Sequence, residues 1–194
     1  SAFTGTVIGV AGSVGKTMTR DLIECVLSHR RPGVVGSAEA ADPTSLALEM
    51  LQLDDRYEHA VFELSAEEGA DVGSLAGLCA PHIGVITSID YVDASDDAAG
   101  RARLESQVEL LARLPVEGLA VLNGDDSGLR RLAARSRAKV IWVGRRADCD
   151  LVATHVRAAR GVLSFEVDGC EISISVWGRH HLTSAMLAIG VGRA

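Results

Sequence analysis

The feature that most constrains the fold is a glycine-rich turn between an apolar run and a helical pattern near the amino terminus. Residues 7–11 are apolar and long enough for a buried strand, and Gly12-Ser13-Val14-Gly15-Lys16-Thr17 follows directly. Apolar residues then recur at helical spacing at Met18, Leu22, Ile23, Val26 and Leu27. A strand, a glycine turn and a helix that opens with Lys-Thr are typical of a phosphate-binding loop.

The residue types in this turn suit phosphate chemistry. Glycines let backbone N–H groups turn toward phosphate oxygens, and the amino terminus of a helix adds partial positive charge. Lys16 can reach the outer phosphates, and the Thr17 hydroxyl can hold Mg²⁺. The common template has its first glycine where this chain has Val10, so the match is to a shorter Gly-x-x-Gly-Lys-Thr form. The alternative is a tight strand-to-helix turn without a ligand. The residues predicted to bind the phosphates are Gly12, Ser13, Val14, Gly15, Lys16, Thr17 and Met18.

Composition excludes some classes of function. The chain has 194 residues and a formal net charge of −7, which argues against a nucleic-acid surface, because phosphate contacts need clustered Lys and Arg. We interpret Arg130, Arg131, Arg135 and Arg137 as the solvated side of one helix. No apolar run approaches the ~20 residues of a membrane span, and no signal segment opens the chain. We therefore expect a cytoplasmic protein with no membrane span.

Strand and helix patterns alternate along most of the chain, which predicts an α/β fold: a mostly parallel sheet with helices on both faces. Strands are predicted at about 6–11, 33–37, 59–64, 83–88, 118–123 and 139–143. Helices are predicted after the glycine turn, after Asp42 as cap with Pro43 in the first turn, and at 68–79, 101–114 and 126–136.

The pattern changes after residue 144. Three short antiparallel strands are predicted at 150–158, 161–167 and 170–177, as a small appendage over about 148–178, and a last helix is predicted from near His180. The chain starts almost directly with a core strand and stops inside an apolar helical pattern. We therefore expect residues 1–194 to be one domain of a longer multidomain protein.

Several blocks together resemble the central ATP-binding domain of the ATP-dependent Mur ligases of peptidoglycan synthesis. Besides the glycine turn, they are Val61–Ser65, Ala80–Ile89, Gly118–Asp126 and Gly178–His181. The resemblance extends over the whole chain, and the block around Glu63 is most similar to the subgroup that joins D-alanyl-D-alanine to a UDP-muramoyl tripeptide.

This resemblance implies a cofactor, a set of site residues and a reaction. It implies that the domain binds ATP and Mg²⁺ and that Lys16 and Glu63 are catalytic residues. The metal ligands would be Thr17, Glu63 and Asp93. The residues that contact the adenine side of the nucleotide would be Asn123 and His180. The reaction would pass through an acyl phosphate. The UDP-muramoyl peptide and an amino acid or dipeptide would bind through flanking domains outside this sequence. For Glu63 the alternative is a surface residue that ends a strand, and for His180 it is a capping or exposed histidine.

Two positions depart from the family pattern. Asp93 stands where the family has a histidine, and Gln107 stands where it has a lysine that becomes carbamylated. An oxygen ligand at Asp93 suits magnesium, although a solvated acidic loop is the alternative. Gln107 cannot form a carbamate, and helical spacing places it at the edge of the buried stripe made by Leu104, Val108 and Leu111. A second function therefore stays open: a divergent nucleotide-binding module without ligase activity, acting in interaction or regulation.

Overall fold

A seven-stranded parallel sheet forms the centre of the protein in a computed structural model, which describes residues 3–36, 42–65, 71–89 and 98–194, with the backbone alone for 98–104. Its strands are β1 (Thr6–Ala11), β2 (Gly33–Val35), β3 (His59–Glu63), β4 (Ile83–Ile86), β5 (Leu119–Asn123), β6 (Lys139–Gly144) and β7 (Leu151–Val152). The spatial order is β2-β3-β1-β4-β5-β6-β7, and every described pairing in it is parallel. The predicted α/β fold is thereby confirmed.

Helices cover both faces of this sheet. They are α1 (Lys16–Ser28), α2 (Pro43–Met50), α3 (Val72–Cys79), α4 (Ala98–Arg113), α5 (Ser127–Leu132) and α6 (Leu182–Gly192). One core joins Ile23 of α1 and Met186 of α6 to Ile8 of the sheet, and the other joins Leu75 of α3 and Val108 of α4 to the opposite side of β1. Burial on both faces explains why the central strands are almost continuously apolar.

The sequence signals for the start of α2 agree with the structure. Asp42 caps α2 and accepts hydrogen bonds from the backbone N–H groups of Thr44, at 2.8 Å, and Ser45, at 3.1 Å. Pro43 occupies the first turn, where its missing N–H costs nothing. Helix α5 is shorter than predicted: it ends at Leu132, and a 3₁₀ turn continues to Arg135.

Within the described ranges, no helix combines the length and apolar character needed to cross a membrane.

A separate three-stranded antiparallel sheet follows the parallel one. It contains β8 (Thr154–Ala159), β9 (Val162–Val167) and β10 (Cys170–Ile174), in the order β10-β9-β8. Both of its tight turns have two successive residues with positive φ, at 160–161 and at 168–169, as type I′ hairpin turns require. The small antiparallel appendage is confirmed.

The predicted boundaries of this appendage were partly wrong. The single strand predicted at 150–158 is two strands, because Leu151 and Val152 pair in parallel with β6 as the edge of the main sheet. Strand β10 ends at Ile174 instead of 177, and α6 begins at Leu182 after a 3₁₀ turn at 179–181. A two-residue strand gives no periodic signal, so its separation from β8 was invisible in the sequence.

Candidate functional site

The glycine turn forms a tight connection between β1 and α1. Gly12 has φ +129° and Gly15 has φ +80°, and Gly15 is the N-cap of α1. A Cβ on Gly12 would collide with Thr87 Oγ1 and the neighbouring backbone. Both positions therefore favour glycine because of their positive φ, and Gly12 requires it also because the backbone approaches Thr87 closely. We call residues 12–17 the phosphate-binding loop.

Two neighbouring elements hold this loop in place. Thr87, directly after β4, donates its hydroxyl to the Val14 carbonyl at 2.6 Å, and the Ser13 N–H donates to the Ser88 carbonyl at 2.9 Å. From α6, the Ser184 hydroxyl donates to the Gly15 carbonyl at 3.4 Å. Thr87 and Ser184 are both buried. The loop is therefore held from two sides, by the segment that follows β4 and by α6 on one face of the sheet.

Two residues at the start of α1 carry the predicted phosphate and metal chemistry. Lys16 Nζ donates to the Gly12 carbonyl at 3.0 Å, which folds the cation back over the loop. Thr17 Oγ1 donates to Glu63 Oε2 at 2.8 Å. Residues Val10 and Glu63 are register partners in β1 and β3, so the end of β3 lies beside the loop. Two of the three predicted magnesium ligands, Thr17 and Glu63, are thus in direct contact.

Glu63 has further partners that fix its carboxylate. Ser65 Oγ donates to Glu63 Oε1 at 3.3 Å, and Arg20 Nη1 lies 3.8 Å from Glu63 Oε2. The Glu63 side chain is 10% exposed, so it is not the surface residue of the alternative interpretation. Arg20 is itself buried and also donates to the Gly36 carbonyl at 3.1 Å. Sequence analysis missed Arg20, which stands one helical turn after Thr17.

The carboxylate of Glu63 and the hydroxyl of Thr17 are hard oxygen donors of the kind that Mg²⁺ binds together with substrate phosphates and water. Within the described residues, no three side chains of His, Cys, Asp and Glu are grouped to form a metal site. The two protein oxygens of Thr17 and Glu63 are compatible with a Mg²⁺ ion that takes its remaining ligands from a nucleotide and from water, which is the usual pattern for Mg²⁺ at phosphates. Asp93, the third predicted ligand, lies outside the described residues.

Gln107 of α4 reaches the loop from the opposite side of the sheet to α1. Its Oε1 accepts a hydrogen bond from Ser13 Oγ at 3.3 Å. The sequence predicted Gln107 at the edge of the buried stripe, and Val108 and Leu111 are fully buried as expected. The Leu104 side chain lies outside the described residues. The contact with Ser13 could not be found from helical spacing, because it depends on how α4 packs across the sheet.

Asn123 and His180, the predicted adenine-side residues, have different surroundings. Asn123 is buried; its Nδ2 donates to the Thr87 carbonyl at 3.0 Å, and its Oδ1 accepts from the Asp125 N–H at 3.1 Å. Asn123 thus ties the end of β5 to the segment that supports the loop. His180 is exposed in the 3₁₀ turn before α6, with its ring 4.0 Å from that of His181. Burial, and secondly the neighbouring His180, lower the pKa of His181. Contact of Asn123 or His180 with a nucleotide remains a prediction.

A cavity of about 910 Å³ lies at the other end of the sheet, where the strands begin. The first residues of β1, β4, β5 and β6 line it, and so do Arg30 and Glu58. None of the site residues predicted from the sequence lines this cavity. The predicted residues that the structure describes lie instead at the carboxyl ends of β1 and β3, at the end of β5 (Asn123) and just before α6 (His180).

Comparison with known proteins places this geometry in a family. Residues 10–192 match the model of the Mur ligase middle domain. The chain is 27% identical over 191 residues to a UDP-N-acetylmuramoyl-tripeptide–D-alanyl-D-alanine ligase of Mycobacterium bovis, with 96% of this chain and 38% of that protein covered. It is 28% identical over 191 residues to the enzyme of the same name from Synechocystis, with 98% and 41% covered. The chain therefore spans about two fifths of the length of these relatives.

Solved structures share the fold. MurF from Acinetobacter baumannii superposes with a TM-score of 0.85 at 19% identity, over 97% of this chain and 42% of that chain. MurF ligase from Thermotoga maritima in complex with ADP gives a TM-score of 0.79 at 23% identity, over 98% and 45%. The family match covers almost the whole chain and includes the phosphate-binding loop, β3 with Glu63, and α6. The chain thus belongs to the Mur ligase middle-domain family.

Proposed function

We propose that this chain is the ATP-binding part of a Mur-type ligase, and that it binds MgATP at the carboxyl ends of β1 and β3. The observation that carries the proposal is the 2.8 Å contact between Thr17 Oγ1 and Glu63 Oε2 at the foot of the phosphate-binding loop. In an open parallel sheet, ligands bind beyond the carboxyl ends of the strands. A hydroxyl and a carboxylate that meet there, next to a lysine and a helix amino terminus, favour a magnesium–nucleotide ligand.

Each residue then has a defined role. Lys16 swings from the Gly12 carbonyl to the outer phosphates, where its charge stabilises the phosphoryl group in transfer. Glu63 is held by Thr17, Ser65 and Arg20, so that its carboxylate is already oriented before ligand arrives. When bound, Mg²⁺ would neutralise phosphate charge between Thr17 and Glu63. Catalysis of this kind relies mainly on positioning and on charge neutralisation.

The reaction we propose is activation of a substrate carboxylate as an acyl phosphate, followed by displacement of phosphate by an amine. Relatives named as ligases that join a UDP-muramoyl tripeptide to D-alanyl-D-alanine support it, and the ADP bound by the Thermotoga structure supports a nucleotide at this fold. A UDP-muramoyl peptide and an amino acid or dipeptide are the proposed substrates, bound by parts of a longer protein that this chain does not include.

One observation favours a second candidate, a divergent nucleotide-binding module without ligase turnover. Gln107 contacts the phosphate-binding loop through Ser13, yet it has no amine that could be carbamylated. Phosphate release by the intact protein with a UDP-muramoyl peptide and an amine substrate separates the two candidates. A ligase releases phosphate only when the carboxylate substrate is present, whereas the module binds ATP and releases none.

The two lysines of the chain offer a matched test of the binding site. Lys16 lies in the phosphate-binding loop, and Lys139 begins β6 at the opposite end of the sheet. A charge-assisted contact to phosphate contributes roughly 1.5–3 kcal/mol, so Lys16→Ala should weaken MgATP binding about tenfold or more. Lys139→Ala should leave the affinity unchanged. Calorimetric titrations that give equal affinities for wild type and Lys16→Ala would contradict the site.

A further inference from the structure

The side chain of Gln107 is aimed at the phosphate-binding loop by a hydrogen bond that spans the sheet. Ser13 Oγ donates to Gln107 Oε1 at 3.3 Å, and the Ser13 backbone N–H is separately bound to the Ser88 carbonyl. Gln107 is half-buried, and the next residue, Val108, is fully buried in the core beneath α4. The carboxamide therefore extends from a fixed point on α4.

Within the part of the chain that the structure describes, no residue accepts a hydrogen bond from the donor end of this carboxamide. With Oε1 bound to the Ser13 hydroxyl, the opposite end is Nε2, which carries two N–H donors. Phosphate oxygens are acceptors, so a group that presents N–H donors beside a phosphate-binding loop suits them. A neutral donor binds these oxygens without adding a charge that would have to be compensated before the nucleotide arrives.

The position of Gln107 selects one phosphate. Helix α1, which holds Lys16 and Thr17, packs with α6 on one face of the sheet, while α4 packs with α3 on the other. The loop and the amino terminus of α1 cradle the inner phosphates of a bound nucleotide. We expect a donor that approaches the loop from the opposite face to reach the phosphoryl group that projects beyond the loop, which in ATP is the terminal one.

We infer that Gln107 is a nucleotide-binding residue that donates from Nε2 to the γ-phosphoryl group of ATP and so makes the site distinguish ATP from ADP. This inference rests on the proposed MgATP site and goes beyond it, because it predicts a preference that the phosphate-binding loop alone does not create. Ser13 is the positioning residue, since its hydroxyl fixes which end of the carboxamide faces the nucleotide.

Calorimetry with Mg²⁺ and two probes, ADP and the non-hydrolysable analogue adenylyl imidodiphosphate, tests it. Gln107→Met keeps the length of the side chain without its donors, and it should weaken binding of the triphosphate analogue about tenfold while ADP binding stays the same. Glu105→Gln, an exposed site on the same helix, is the matched control and should change neither affinity. Equal effects of Gln107→Met on both nucleotides, or no effect on either, overturn the inference.

A measurement on the wild-type protein does not depend on how the variant folds. The side-chain ¹⁵N–H₂ resonances of Gln107 should shift when the triphosphate analogue is added and stay in place with ADP. The absence of this difference overturns the inference while ADP binding still supports the site. If the wild type binds neither nucleotide, the proposed function itself fails, and the role of Gln107 fails with it.

Discussion

The two ends of the parallel sheet differ in the groups that they present. A cavity of about 910 Å³ lies where the strands begin, and its lining carries Arg30, Arg31 and Lys139. At the opposite end, the loop after β1 offers a smaller set of groups: one lysine folded over the loop, and one threonine in contact with one carboxylate. Only the second end has the amino terminus of α1 beside a carboxylate that is already oriented.

Positive charge is present at both ends, so we expect burial and orientation to decide where a nucleotide binds. Near this cavity, Arg31 Nε lies 3.7 Å from Glu58 Oε2, and both side chains are more than half exposed, so water and salt screen this pair. At the loop end, Glu63 is 10% exposed and Arg20 is 9% exposed, so the same kinds of groups interact more strongly. Fixed, poorly hydrated groups are what phosphoryl transfer requires.

Glu63→Gln is the substitution with the largest expected effect, and Glu58→Gln, directly before the other end of the same strand, is its control. The amide cannot supply the charge opposite Mg²⁺, so phosphate release by the intact protein should slow about a hundredfold. The exposed Glu58 should change the rate by less than about twofold. Equal effects at the two ends would break the comparison between them.

Gly12→Ala should destabilise the fold by about 2 kcal/mol or more, because its φ of +129° and the contact with Thr87 leave no room for a Cβ. Gly169→Ala, in the tight turn of the antiparallel sheet, is the control. Gly169 also has a positive φ, of +77°, but a Cβ added there would meet nothing within 4 Å. We therefore expect Gly169→Ala to lower the free energy of unfolding by about 1 kcal/mol. Urea unfolding measures both changes, and an equal loss would mean that the packing against Thr87 contributes nothing.

The smallest expected effect is that of added bicarbonate, which should leave the rate of phosphate release unchanged. Carbamylation needs an amine. The lysines of this chain are Lys16, which we propose binds phosphate, and Lys139, which lies at the opposite end of the sheet. We therefore expect the intact protein to be a poor or altered ligase whose phosphate release is unchanged by added bicarbonate. Faster phosphate release by the unmodified protein with bicarbonate would contradict the assignment of Gln107 to the position of the carbamylated lysine. If bicarbonate stimulated only the Gln107→Lys variant, the result would support that assignment.

Local patterns predicted the parts of the site that lie close together in sequence. The glycine turn, the strand before it and the helix after it form one continuous segment, so spacing alone identified Lys16 and Thr17. Glu63 was assigned through the resemblance of Val61–Ser65 to the family's strand that ends in an acidic residue, and its place at the carboxyl end of a parallel strand agrees with a ligand-binding position. The structure adds the contact between Thr17 and Glu63, which no local pattern contains.

Contacts between distant segments were the part that the sequence could not predict. Arg130 was interpreted as a solvated helix residue, yet its Nε donates to the Gly124 carbonyl at 2.7 Å and its guanidinium lies 4.8 Å from the centre of the Trp142 ring. Charge patterning favours solvent for an arginine, but stacking on an aromatic ring in a neighbouring strand outweighs it. The contact of Gln107 with Ser13 was missed for the same reason, since it depends on helix packing across the sheet.

The most direct test of the central claim is a crystal structure of the protein with Mn²⁺ in place of Mg²⁺ and adenylyl imidodiphosphate. The anomalous signal of the metal locates it independently of the electron density for the phosphates. We expect one metal peak between Thr17 Oγ1 and Glu63, at about 2.1 Å from its oxygen ligands, with the phosphates on residues 12–17. A nucleotide or metal found in the cavity beside Lys139, with the phosphate-binding loop empty, would contradict the account.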